Sequence, residues 1–164
     1  MNKKSSFLIY AVATGLLIFL ARENWTAYLS SKKLWQINFT WVGKPLIFSL
    51  LSANILLFDY LSIWLPRSNL NSISNLVMIR QPNLKNFVVN VVPYVWQYLL
   101  IFVLVHIIAF NISNIIDSII MLAIMIFIWL IITFWPNYQH SLSVQGIVIF
   151  TLLLGIRLFV NCLV

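Results

Sequence analysis

Charge is almost absent from five long apolar runs. From Phe7 to Ala21, and from Phe87 to Phe110, there is no Lys, Arg, Asp or Glu. The runs at 45–65, 115–135 and 144–164 hold one each: Asp59, Asp117 and Arg157. A soluble fold covers itself with polar side chains, about a quarter of its residues being charged. Here 62% of 164 residues are hydrophobic and 8% are charged. Such a chain cannot present a polar surface to water. The reading is an all-α polytopic transmembrane bundle, a single domain over residues 1–164.

The runs place spans at about 5–21, 45–65, 87–110, 115–135 and 144–163. A bilayer needs roughly 20 residues per helix, so the first span is short. Residues 22–44 are polar but carry Trp25, Tyr28, Trp35, Phe39 and Trp41. Aromatic residues of this kind favour the headgroup region, so 22–44 is expected to lie along the outer membrane surface. Pro66 opens a basic connector, 66–86, with Arg67, Arg80 and Lys85 and no acid. Between Pro66 and Pro82, Leu70, Ile73, Leu76 and Val77 recur at helical spacing. They predict a short amphipathic helix over 68–79, capped by Ser68 and followed by a break at Pro82. The plainer reading is a solvated connector held in the cytosol by its charges. Pro93 predicts a kink in the third span.

The first helix usually dominates orientation. Lys3, Lys4 and the terminal amine precede it, against Arg22 with Glu23 beside it on the far side. The N-terminus is therefore read as inside, which puts the connector in the cytosol. The net charge of +7 fits topology and anionic lipid better than nucleic acid. Cys162 is the only cysteine, which excludes an internal disulfide and a cysteine metal cluster. There is no Gly-rich phosphate loop, no His-Glu-x-x-His and no motif around a nucleophilic serine. Neither an enzyme nor a cofactor is expected.

The run Val77-Met78-Ile79-Arg80-Gln81-Pro82-Asn83-Leu84-Lys85-Asn86-Phe87 resembles the cytosolic segment after the second helix in small permease subunits of bacterial type-2 ABC exporters. In that family an Ile-Arg is followed by a basic and an aromatic residue as the third helix begins; here these are Ile79, Arg80, Lys85 and Phe87. The resemblance implies that the connector docks a separate ATPase subunit through Arg67, Ile79, Arg80 and Lys85. It also implies export of a peptide or lipophilic substrate, a second permease subunit or second copy, and in some members bacteriocin immunity. The family usually has six spans and an acid in the connector. This chain has five expected spans and no acid there. Two other readings are a substrate-binding membrane component of a vitamin uptake system and a stand-alone immunity or structural membrane protein. The uptake reading looks to small residues on the first helix, here Ala11 and Gly15.

Four residues carry intramembrane polarity: Asp59, His106, Asp117 and Arg157. An ionisable side chain in a span should face protein or water. Counting depth from the expected span ends separates Asp59 from Arg157 by about 10 Å. The expectation is that those two do not pair, and that Asp117 pairs with Arg157 near the outer surface with His106 beside them. The alternative is that each snorkels alone to the headgroups.

Overall fold

The computed structural model describes residues 3–24, 46–80, 84–109, 115–134 and 142–163. Among these residues there are five helices and no strand: α1 (Lys3–Asn24), α2 (Leu46–Arg80), α3 (Leu84–Ile108), α4 (Ile115–Phe134) and α5 (Leu142–Leu163). Residues 25–45, which include most of the expected surface segment, lie outside the described residues, as do the connections at 110–114 and 135–141. Two helices are long and apolar enough to cross a membrane, α1 over Lys4–Ala21 and α2 over Ser49–Leu70. The outward faces are apolar too, with Ile9, Leu16, Ile116, Phe127, Ile147 and Phe159 exposed.

α2 is the central element. It packs closely against each of the other four helices, while α1 and α4 also pack on α3. α4 and α5 both lean on α2 and are not closely packed on each other. Between them a groove of about 400 Å³ opens, walled by apolar residues such as Phe127, Ile131, Val148 and Leu152, with Arg67 and Gln145 also lining it.

The expected end of the second helix at Leu65 is corrected here. α2 is one helix of 35 residues with Pro66 inside it, so the separate helix over 68–79 is a continuation of α2. A proline in a helix interior removes the N–H that would bond the carbonyl four residues earlier. For Pro66 that carbonyl is Ser62 O. The Trp129 indole on α4 fills the gap, its Nε1–H donating to Ser62 O at 3.2 Å. One residue beyond the proline, Arg67 Nη1 donates to Ile132 O at 2.6 Å. Ile132 lies in the last turn of α4, where carbonyls lack helical partners. Residue 136, four further on, is a proline with no N–H to offer. The guanidinium caps that end, where a cation is also favoured by the helix dipole. Its Nε donates to Gln145 Oε1 on α5 at 3.0 Å. Pro66 and Arg67 thus join α2 to α4 and α5 at the point expected to leave the bundle.

Elsewhere the core is aromatic. Phe7, Phe58 and Phe102 stack in turn across α1, α2 and α3 at centroid distances of 6.0 and 6.2 Å. Phe102 continues to Trp129 on α4. α1 is clamped to α2 by Tyr10, whose hydroxyl donates to Asn54 Oδ1 at 2.7 Å, and by Asn54 Nδ2 donating to Thr14 Oγ1. On the α5 side the closest approach is at Gly146. A Cβ there would lie 2.8 Å from Trp64 Nε1 and 3.0 Å from Tyr60 Oη.

Trp129→Phe strips the donor from Ser62 O and is expected to lower stability by about 1–2 kcal/mol. Adding Pro66→Ala restores an N–H to that carbonyl and should recover part of the loss. Equilibrium unfolding of the single and double variants measures both, and an unchanged loss in the double variant would refute the substitution of one donor for the other. By the same method Gly155→Ala, with nothing within 4 Å of its Cβ, should stabilise by about 0.5–1 kcal/mol through helix propensity, and Gly146→Ala should fall below it because the Tyr60 and Trp64 side-chain ends must give way.

Candidate functional site

Three of the ionisable residues inside the bundle meet at one place. Asp59 on α2 is 1% exposed, His106 on α3 is 2% and Arg157 on α5 is 3%. Arg157 Nη2 donates to Asp59 Oδ2 at 2.9 Å. Its Nη1 donates to Ser52 O at 2.9 Å and to Ser52 Oγ at 3.2 Å. The other carboxylate oxygen, Oδ1, faces His106 Nε2 at 3.4 Å. The far ring nitrogen, Nδ1, lies 2.9 Å from Phe102 O. A carbonyl oxygen only accepts, so Nδ1 carries a proton and donates it. Phe58 and Phe102 flank the imidazole at centroid distances of 6.2 and 4.3 Å.

The expectation that Asp59 and Arg157 stay apart is therefore wrong, and the reason is geometric. α2 and α5 run antiparallel. Arg157 lies about 9 Å from the end of α5 and Ser52 about 9 Å from the start of α2. Asp59 lies about 10 Å deeper along α2. The depth gap was sound, but the arginine stem turns inward along α2 and closes it, bonding Ser52 on the way. An outward, snorkelling stem was the assumption that failed. The guanidinium expected to pair with Asp117 is engaged by Asp59 and Ser52. The Asp117 side chain lies outside the described residues.

His106 reaches Asp59 because α2 and α3 form one long hairpin. Asp59 lies about 32 Å from the end of α2 at Arg80 and His106 about 33 Å from the start of α3 at Leu84, measured along their helices. Taking residues 66–86 as a connector outside the bundle hid that register.

The four residues implied for ATPase docking divide. Arg67 is 4% exposed and bonded to Ile132 and Gln145, so it belongs to the interior of the bundle. That burial takes it out of the docking set. Ile79 and Arg80 end α2 and Lys85 lies in the first turn of α3. Their side chains, like the turn at 81–83, lie outside the described residues. Sequence reading missed Trp129, Gln145 and Asn54, whereas the spacing of Ser52, Asp59 and Ser62 already put Ser52 on the face of Asp59. The available signals were a lone tryptophan in an aliphatic helix and a proline whose freed carbonyl required a donor.

Burying an ion pair costs several kcal/mol per ion in desolvation. The pair persists where further hydrogen bonds complete it, and here Ser52 supplies two. Removing one partner leaves an uncompensated charge, which is far costlier than never having the pair. Among the described residues no group of three His, Cys, Asp or Glu is placed to hold a metal ion. What the cluster offers chemically is charge and proton binding, held by three helices at once. No family model matches the chain, and no curated protein or solved structure matches it either.

Asp59→Asn and Arg157→Gln should each lower stability by about 3–5 kcal/mol. The double variant should lose much less than the sum of the two. A double-mutant cycle read by denaturant unfolding tests the pair, and coupling near zero would show that the contact contributes nothing.

Proposed function

We propose that the chain is a multi-pass membrane protein of about five spans with its N-terminus inside, and that it serves as the membrane subunit of an ATP-driven transporter for a peptide or lipophilic substrate. The apolar exterior supports the membrane reading: exposed Ile, Leu and Phe on α1, α4 and α5 carry no penalty in lipid and a large one in water. The orientation is supported by Lys3 and Lys4 at the start of α1.

The observation that carries the transporter reading is the length and unity of α2. Its 35 residues span about 52 Å, against about 30 Å of hydrocarbon. One end, at Arg80, stands beyond the membrane, with Lys85 five residues on in the sequence. The same rigid element holds Asp59 and contacts every other helix. A subunit with no nucleotide site does work only if a partner moves an element that runs on into the bundle, and α2 runs on without a break. The groove between α4 and α5, apolar and open to the side, suits a lipophilic cargo or a lipid chain. The vitamin-uptake reading is less well supported. It needs small residues of α1 free for a partner, whereas Ala11 and Gly15 are buried and Gly15 sits against Ile108 of α3.

Co-purification from membranes is the test. A transporter subunit brings an ATPase with it, an uptake component retains a small ligand, and a stand-alone protein brings neither. Arg80→Glu with Lys85→Glu should abolish ATPase association while leaving insertion intact; wild-type yield of the ATPase with the double variant would place docking elsewhere. Orientation has its own reporter in Cys162, the only cysteine. With the N-terminus inside and five spans, a membrane-impermeant thiol reagent added from outside should label Cys162, and labelling only from the cytosolic side would reverse the topology.

A further inference from the structure

Among the described residues three buried side-chain atoms have no hydrogen-bond partner: Asp59 Oδ1, His106 Nε2 and Thr133 Oγ1. Two of the three face each other at 3.4 Å. A buried polar atom without a partner costs about 1–3 kcal/mol, and native folds rarely leave one without a reason. Here the two atoms are unsatisfied for one shared reason. With Nδ1 holding its hydrogen against Phe102 O, a neutral His106 presents a bare lone pair at Nε2. The Asp59 carboxylate presents another. Two acceptors confront each other, and a single proton placed between them satisfies both.

We infer that the space between His106 Nε2 and Asp59 Oδ1 is a proton-binding site, and that its ligand is one proton taken from water. Atoms and charge balance simply. A hydronium-derived proton forms one N–H bond at Nε2, which then donates to Oδ1, and no bond within the protein breaks. The cluster passes from net neutral, with Arg157 and Asp59 opposed, to a net charge of plus one. The gap of 3.4 Å exceeds the roughly 2.7–2.9 Å of a charge-assisted bond. Proton uptake therefore draws α3 toward α2 at this level.

The surroundings decide how selective the site is. From α2 the facing charge is Asp59 itself, and from α5 it is Arg157, which occupies Oδ2 and leaves Oδ1 to the histidine. From α1 the titratable group is Tyr10, whose hydroxyl is committed to Asn54. The buried residues of α4, Ser118, Met121, Met125, Trp129, Ile132 and Thr133, carry no acid or base that ionises in the ordinary range. Asp117 is the one charged residue of α4, and its side chain lies outside the described residues. On α3 the neighbours are Phe102 and Val105, both apolar. The inference stands on this geometry alone and does not depend on an ATPase partner.

The test is nitrogen-15 NMR of the imidazole in the full chain, reconstituted in phosphatidylcholine nanodiscs. His140→Gln leaves His106 as the only histidine, since the chain has two. The expected result is a ring protonated at Nδ1 throughout, whose Nε2 signal moves from bare to proton-bearing between about pH 9 and 4. Asp59→Asn should weaken proton uptake at Nε2 by about tenfold or more. A neutral ring protonated at Nε2, an Nε2 signal that does not change over that range, or uptake unaltered in a folded Asp59→Asn protein would each overturn the inference. If Asp59→Asn does not fold, the tautomer and the titration of the Asp59-containing protein decide the question by themselves.

Discussion

The contact on which the rest depends is Arg157 against Asp59, because it fixes the register of α5 on α2 at depth. An apolar interface between two aliphatic helices tolerates sliding by a turn, since Leu, Ile and Val are nearly interchangeable in what they touch. A guanidinium bonded at once to a carboxylate, a backbone carbonyl and a hydroxyl tolerates none. Sliding by one turn would strand two charges in the core, at several kcal/mol each. Arg67 repeats the logic further along, reading Gln145 on α5 and the end of α4. Gly146 then sits where Tyr60 and Trp64 of α2 come closest. Polar contacts set the register, and the glycine leaves room for the Tyr60 and Trp64 side-chain ends.

Pro66 shows how such a framework reuses a defect. A proline in a long helix exposes a carbonyl and would ordinarily kink or end it. The freed Ser62 carbonyl instead became a point of attachment for α4. The helix gains an interhelical bond where it loses an internal one, and continues to Arg80.

This explains what was legible in the sequence and what was not. Helical character and approximate helix positions follow from hydropathy alone, because apolar runs bounded by polar residues leave little choice. That Asp59, His106 and Arg157 would lie inside was legible as well, since an ionisable residue in an apolar run has nowhere favourable to go but inward. Their partners were not legible. For His106 the register was hidden because the rule that proline ends helices misplaced the end of α2. Depth locates only the Cα, whereas the arginine stem shifts the charge by several ångströms in a direction packing decides. Arg67 was misread for the same reason. A basic residue after a proline looks like a solvated connector until the unsatisfied carbonyls of α4 are considered.

The strengths of the contacts around α2 also say which interface is free to change. α4 is tied by the Trp129 and Arg67 bonds, α5 by the ion pair and Gln145, and α1 by the Asn54 clamp. Each tie includes a completed hydrogen bond, and breaking those to α4 and α5 leaves a buried orphan. Against α3 the balance is reversed at the depth of the site. There the orphans already exist, as Asp59 Oδ1 and His106 Nε2, and bringing the helices together removes them. Motion of α3 relative to α2 therefore has a gain to follow where motion of the other three helices has only a loss. The aromatic stack of Phe58 on Phe102 sets no directional bond against such a shift, since ring faces slide at little cost compared with a broken buried hydrogen bond. The α2–α3 interface thus carries the only buried pair of facing, unsatisfied atoms among the described residues, while Asn69 Nδ2 donating to Tyr98 Oη at 3.3 Å ties the same two helices at another level.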